Sequence, residues 1–294
     1  MRQHSLYEPV EPKRRYTALV LAGRRGGPDV LAEEAGAPHR ALLDVDGVPM
    51  LERVLRTLRS VSCIGRIAVS TDAPELLCQF SGLARDVADG SLVVVPGDQS
   101  ASRRVLQVLD TMPADAPLLV TTADHALLTP EMVECFLVGA EHGEPDLAFG
   151  LVAASRVRAR FPESKRTYIP FRGESYSGAN LFAFLNPPAR RGAEFWTRVE
   201  ESRKKPWRLA RAFGPFALLL FMLRLLDLDS AMRRASRVIG ARVQAVPLPF
   251  AEAAVDVDRL SDLILVREIL SREVPRPASP FAPARLCHVA QHPS

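Results

Sequence analysis

The residues with the clearest capacity for chemistry lie between positions 17 and 49. A short apolar run over residues 18–22 reads as a buried strand. It breaks into Gly23-Arg24-Arg25-Gly26-Gly27-Pro28. Glycines let a backbone turn sharply and come close to a ligand. Arg24 and Arg25 place positive charge inside that turn, and guanidinium groups fork onto phosphate oxygens. A further cation, Arg40, follows His39 and precedes a second apolar patch over residues 41–45. Asp46-Gly47 then marks a turn. A strand, a glycine-and-cation loop and a distant second cation form the layout of a nucleotide site. His39 and His125 fall near these residues in sequence and are assigned no catalytic part, because a histidine beside a phosphate loop more often serves as a hydrogen-bonding neighbour.

The elements that must hold these residues alternate along the chain. Residues 50–58 have helical periodicity, with Met50, Leu51, Val54, Leu55 and Leu58 on one face. Strands are expected over 67–70, 92–95, 118–122 and 147–153. A short helix is expected over 74–80, and another runs on from Gly97-Asp98-Gln99-Ser100 through Val105, Leu106 and Leu109. Thr129 reads as an N-cap with Pro130 at the first helical position. Strands alternating with helices predict an α/β fold with a largely parallel sheet. Ligands then bind at the carboxyl ends of the strands, where the glycine loop, Gly97 and Asp124 fall. Beyond Ser155 the pattern loosens. Strands are expected over 167–171, 180–185 and 242–248, an extended piece over 255–258 and a closing helix over 262–270. The organisation is thus a disordered arm (1–15), one domain (16–272) with a helical insertion near its C-terminus (about 188–240), and a flexible proline-rich tail (273–294).

Leu21-Ala22-Gly23, the loop 24–27, Arg40 and Gly47-Val48-Pro49 stand in an order that resembles the signature of the MobA-like nucleotidyltransferases, which include the sugar-phosphate and methylerythritol-phosphate cytidylyltransferases. The resemblance covers most of residues 16–272, with its specific motifs in a few short stretches. It implies a Rossmann-like three-layer α/β/α nucleotidyltransferase fold. It also implies Mg²⁺-dependent transfer of a nucleoside monophosphate from an NTP to a small phosphorylated acceptor, with release of pyrophosphate. Leu21, Ala22, Gly23, Gly26 and Gly27 would bind the nucleotide, and Gly97, Ser100 and Ser102 would contact base and ribose. Arg24, Arg25 and Arg40 would stabilise charge on the phosphates, Arg40 standing where the family carries lysine. Asp124 occupies the place of the family's first metal-binding aspartate. Val255-Asp256-Val257-Asp258 resembles its closing acidic motif, and alternation puts both aspartates on one face of an extended strand. Asp256 is preferred as the second Mg²⁺ ligand and Asp258 comes after it, while Asp262 is expected to cap the last helix. Asn180, in Gly178-Ala179-Asn180, matches the position that reads the acceptor.

Composition bounds the rest. A chain of 294 residues that is 47% hydrophobic can bury a substantial core. A net charge of +4 is too mild to point to nucleic acid as a partner. The arginines between positions 156 and 242 read as a solvated helical surface. Cys63, Cys78, Cys135 and Cys287 share no C-x-x-C spacing, which argues against zinc and redox motifs and for a cytoplasmic protein. The longest apolar run, 216–223, is far shorter than the roughly 20 residues of a bilayer span. The apolar stretch 213–226 is expected to pack on the domain or on a second copy in a homodimer, with peripheral membrane contact as the sharper alternative. Two other functions stay open: a nucleotide-sugar-dependent glycosyltransferase, told apart by pyrophosphate release, and a catalytically weakened nucleotide-binding module. Gly23-x-x-Gly26-Gly27 is not the dinucleotide fingerprint, which disfavours a dehydrogenase. The base, GTP, CTP or another, is not legible.

Overall fold

The computed structural model describes residues 12–23, 29–97, 100–201 and 224–273. In chain order the strands are β1 (Tyr16–Leu21), β2 (Asp44–Val45), β3 (Val48–Pro49), β4 (Ile64–Thr71), β5 (Leu92–Pro96), β6 (Leu118–Thr122), β7 (Leu147–Ala153), β8 (Ile169–Pro170), β9 (Ser175–Phe184) and β10 (Val243–Pro247). The helices are α1 (Val30–Glu34), α2 (Met50–Ser60), α3 (Pro74–Leu77), α4 (Ser81–Ala88), α5 (Ala101–Thr111), α6 (Pro130–Glu141), α7 (Ala154–Arg160), α8 (Arg190–Glu201), α9 (Leu228–Ile239) and α10 (Leu260–Glu273). The expected alternation is present, and the fold is α/β with helices on both faces of a mostly parallel sheet.

The sheet runs β10-β7-β9-β6-β1-β4-β5, with the short β8 paired to β9 and β2–β3 a separate hairpin. β1 pairs parallel with β4 on one side and with β6 on the other. The chain therefore builds outward through β4 and β5, then returns across β1 to start the other half at β6. This reversal opens a crevice at the carboxyl ends of β1 and β6, where ligands of such sheets bind. Only β9 runs antiparallel within the main path, against β6 and β7.

Two apolar clusters cover the two faces. On one face Met50, Leu51, Val54, Leu55 and Leu58 of α2 are fully buried with Val133, Phe136 and Leu137 of α6. Each such side chain contributes about 1.5–3 kcal/mol. On the other, Val105 and Val108 of α5 meet Leu19, Leu118, Val120 and Ala193 of α8. The Thr129 hydroxyl caps α6 by accepting from Met132 N, and Pro130 is its first residue, as the sequence predicts.

Some boundaries differ from expectation. The strand expected over 167–171 shrinks to β8, and the one expected from 180 begins five residues earlier, at Ser175. The helix expected over 74–80 is shortened to α3, and a further helix, α4, follows from Ser81. The end of the N-terminal arm is held rather than loose: Lys13 N and Arg14 N donate to the Glu141 carboxylate at 2.8 and 3.1 Å, and Arg14 Nη1 donates to Leu185 O at 2.6 Å. The insertion expected over 188–240 contributes α8 and α9. Its apolar stretch up to 223 lies outside the described residues, as do Arg24, Arg25, Gly26 and Gly27, most of the arm and the tail beyond 273.

Candidate active site

Backbone hydrogen bonds continue past the strand ends and fix one working edge. Ala22 N donates to Ser70 O at 2.8 Å and Gly97 N to Thr71 O at 3.0 Å, so the loops after β1, β4 and β5 leave the sheet together. Ala123 N donates to Leu21 O at 3.0 Å, and Val257 N to Asp124 O at 3.0 Å. The last of these carries the 255–258 piece onto the end of β6. Residues far apart in sequence, Gly23, Gly97, Asp124 and Asp256, thus share that edge.

The β1–β4–β5 side is lined by small residues around a buried arginine. Arg104, in the first turns of α5, is buried. A Cβ on Gly23 would lie 1.6 Å from Arg104 Nη1, and one on Gly97 would lie 3.3 Å from its Nε. Any side chain at position 23 would have to displace the guanidinium packed on it, whatever ligand the loop holds. Ser102 points elsewhere: it is buried, its hydroxyl donates to Glu200 of α8, and it accepts from Thr197 Oγ1 at 2.9 Å. Ser100 is exposed at the α5 N-cap, where its hydroxyl lies 3.1 Å from that of Ser102. The structure brings Leu21, Ala22, Gly23 and Gly97 to the edge, joined by Arg104, and puts Ser102 in a helix–helix contact.

Arg40 is presented by a built turn. His39 caps the short 3₁₀ helix Arg40–Leu42: its Nδ1 accepts from Ala41 N at 3.1 Å while Nε2 meets Asp72 Oδ1 at 3.1 Å. Asp29 caps α1 with one oxygen and accepts from Arg40 N at 3.2 Å with the other, returning the chain from the glycine loop to this cation. Arg40 Nη2 donates to Val257 O at 2.7 Å and to Asp258 Oδ1 at 3.1 Å, and lies 3.8 Å from Asp124 Oδ2.

Across from it, Asp256 is gripped by two donors. Arg166 Nη1 donates to its Oδ1, and Asn180 Nδ2 donates to its Oδ2 at 3.2 Å. Asn180 has a φ of 49°, at a point where the pairing of β6 with β9 has ended and the β7–β9 register shifts. A bulge of this kind re-aims a side chain out of the ladder. Asp262 supports the same corner: Oδ2 accepts from Asp258 N and Arg259 N at 3.2 and 2.9 Å, and Oδ1 accepts from Arg166 Nη2 at 2.9 Å. Its reach back to the start of α10 is the expected helix cap, made from within the first turn.

Burial holds the Asp124 carboxyl above the usual carboxylate range, with Asp256 and Asp258 pushing the same way and the nearby Thr122 hydroxyl and Arg40 opposing. Its Oδ1 is shielded from solvent, and no donor among the described residues is aligned on it as a hydrogen bond. Burial and then Asp258 raise Asp256, against Arg166 and Asn180. Neighbouring carboxylates that repel one another ask for a cation, and the Arg40 guanidinium already stands between Asp124 and Asp258. Hard oxygen donors in this number fit Mg²⁺, which uses one or two carboxylates and keeps other positions for water and phosphate. Among the described residues no group of three or more His, Cys, Asp or Glu is arranged to hold an ion.

His125, beside Asp124, is fully buried, and burial drops its pKa to about 4, so it is neutral at physiological pH. Neither ring nitrogen has a hydrogen-bond partner among the described residues. Two arginines of this edge were not legible from spacing. Arg104 sits on a helix whose periodicity singles out its apolar residues, and Arg166 falls in a run that reads as solvated surface, yet its side chain is only 6% exposed.

Comparison with known proteins defines the class. The model of the MobA-like NTP transferase domain matches residues 18–165, and the chain belongs to that family. It is 33% identical over 104 residues to the 3-deoxy-manno-octulosonate cytidylyltransferase of Rhodopseudomonas palustris (strain TIE-1), an alignment covering 34% of this chain and 40% of that one. This chain therefore spans well under half the length of that relative. The enzyme of the same name from Afipia carboxidovorans is 24% identical over 262 residues, 80% of this chain and 92% of that one. Among solved structures, a hypothetical transferase from Thermus thermophilus matches with a TM-score of 0.70 at 32% identity, covering 85% of this chain and 99% of its own. A CMP:2-keto-3-deoxy-manno-octonic acid synthetase complexed with CTP shares the fold at a TM-score of 0.55 and 18% identity, covering 88% and 100%.

Proposed function

We propose that this protein is a Mg²⁺-dependent nucleotidyltransferase that moves a nucleoside monophosphate from an NTP to a small phosphorylated acceptor and releases pyrophosphate. The observation that carries it is the meeting of Asp124 and Asp258 with Arg40, with Asp256 two residues from Asp258 on the same extended piece, at the carboxyl edge beside Gly23 and Gly97. Such a transfer needs the triphosphate held, the α-phosphorus made electrophilic and the leaving group neutralised. Mg²⁺, when bound, polarises the phosphate and fixes its orientation. Asp124 and an aspartate of the 256–258 segment would hold it.

The chain's own residues do the rest. Gly23, together with Arg24, Arg25, Gly26 and Gly27 of the loop that follows it in sequence, would bind the phosphates. Arg40 exchanges its carboxylate partners for phosphate oxygens and stabilises the charge that grows on the leaving group. Asn180, whose amide donates to Asp256, is the residue we read as contacting the acceptor. CTP is the first nucleotide to test, because the relatives named above are cytidylyltransferases. A phosphorylated acceptor is preferred, and the sugar acid in those relatives' names is the next candidate.

Thermal-shift measurements with each of the four NTPs, with and without Mg²⁺, test the reading. One NTP raising Tm only when Mg²⁺ is present is the expected result. No Mg²⁺-dependent rise with any NTP would overturn it. We place the protein in the cytoplasm and read the acceptor as small rather than nucleic acid. Among the described residues no helix is long and apolar enough to cross a membrane.

A further inference from the structure

Asp256 and Asp258 are two residues apart on one extended piece, yet the fold gives them different partners. Asp256 has donors on both carboxylate oxygens, Arg166 on Oδ1 and Asn180 on Oδ2. Asp258 is 47% exposed at its side chain, and its carboxylate is met by Arg40 alone among the described cations, through Oδ1. The same Arg40 nitrogen lies near Asp124 Oδ2. Resting on the cation reading above, we propose that Arg166 is a positioning residue that reserves Asp256 for the protein and leaves Asp258 to share the nucleotide-borne cation with Asp124.

Arg166 is suited to this because it cannot easily leave. Its side chain is buried, and it donates to Asp256 Oδ1, to Asp256 O at 2.9 Å and to Asp262 Oδ1 at 2.9 Å. A planar fork can span two carboxylates in this way, which a point-charge ammonium cannot. Asp262 passes the constraint on by accepting from Asp258 N and Arg259 N, so one arginine sets both where Asp256 is tied and how the turn presents Asp258. Arg40 differs: its side chain is 21% exposed and its acceptors lie along one open edge. Charge arithmetic favours the division. A divalent cation replacing the Arg40 guanidinium balances Asp124 and Asp258, while Arg166 and the Asn180 amide continue to satisfy Asp256. Arg40 is then released toward the phosphates.

The test is Mn²⁺ binding to the full chain, read from the electron paramagnetic resonance of free Mn²⁺. The titration is run with a non-hydrolysable α,β-methylene CTP, or its guanosine counterpart if GTP is the nucleotide that stabilises the protein. D258N is expected to raise the Mn²⁺ Kd at least tenfold and D256N less than threefold. In an R166M background, checked for folding by circular dichroism, that difference is expected to vanish, because Asp256 is then free to compete. Equal losses in D256N and D258N of the parent would overturn the assignment, as would R166M leaving their ratio unchanged. If R166M does not fold, the two single variants decide alone. A parent that binds no Mn²⁺ with any nucleotide would sink the proposed function itself, an outcome distinct from Mn²⁺ bound without discrimination between the aspartates.

Discussion

The two sides of the working edge are built on opposite plans. On the β1–β4–β5 side, small residues pack against one buried guanidinium, Arg104, and the backbone does the shaping. On the β6–β9 side, side-chain charges do it: three aspartates face two arginines, and nearly every oxygen of the Asp256–Asp262 corner has a named donor. The second is a fixed charge balance in which removing one member leaves another buried and unpaired, which is strongly destabilising. Asp124 stands at the seam, buried like the first side and charged like the second.

The largest break in this comparison comes at that seam. D124A is expected to lower turnover about a thousandfold or more, since it removes the carboxylate that would orient the cation. D124N should lose activity equally, yet its Tm in metal-free buffer near neutral pH should be no lower than the parent's. The sign follows from the raised folded-state pKa of Asp124: the folded protein holds this proton more tightly than the unfolded chain, so ionising it costs stability as pH rises above the usual carboxylate range. A clearly lower Tm in D124N would show that the charge is satisfied without a metal.

Arg40 comes next. R40A is expected to reduce turnover about a hundredfold, the usual cost of a lost transition-state donor, while R40K retains much of it. Equal turnover in R40A and the parent would remove Arg40 from the chemistry. A smaller effect tests the other side: G23A pushes a Cβ into the Arg104 guanidinium, and the NTP KM is expected to rise about tenfold with kcat changed less. If kcat falls and KM does not, the glycine side serves the chemical step rather than binding.

The smallest effect concerns His125, whose burial holds its pKa near 4 against an ordinary 6.5. Between those values the unfolded chain binds the proton and the folded one does not, so this residue's contribution to stability falls as pH drops through that window. H125L removes the term. H125L should therefore gain stability relative to the parent on going from pH 7.5 to pH 5, by on the order of 2 kcal/mol as read from thermal unfolding. A constant difference would mean that the ring has a partner in solution.

How much was legible in advance follows the same division. β1, α2, β6 and the Thr129–Pro130 start of α6 rest on local signals, namely apolar periodicity and capping chemistry, and they stand where the sequence puts them. Gly23 and Gly97 could be found because glycine in a strand-end loop has a local meaning. β9 could not be bounded, because its extra length depends on pairing with β7 and on a left-handed Asn180 at a register shift. α4 buries little beyond Leu83 and so carried almost no periodic signal. Arg104 and Arg166 were invisible for a deeper reason: a buried arginine is set by partners distant in sequence, and nothing in its own neighbours announces them. The contact of Ser102 with Glu200 and Thr197, nearly a hundred positions away, was hidden in the same way.

The measurement that bears most directly on the account is pyrophosphate release by the full chain, supplied with Mg²⁺, each NTP in turn and a panel of phosphorylated sugars and polyols. Release is expected with one preferred NTP, dependent on both acceptor and Mg²⁺ and abolished in D124N. An NTP that binds with Mg²⁺ but yields no pyrophosphate with any acceptor, or release that persists in D124N, would contradict it.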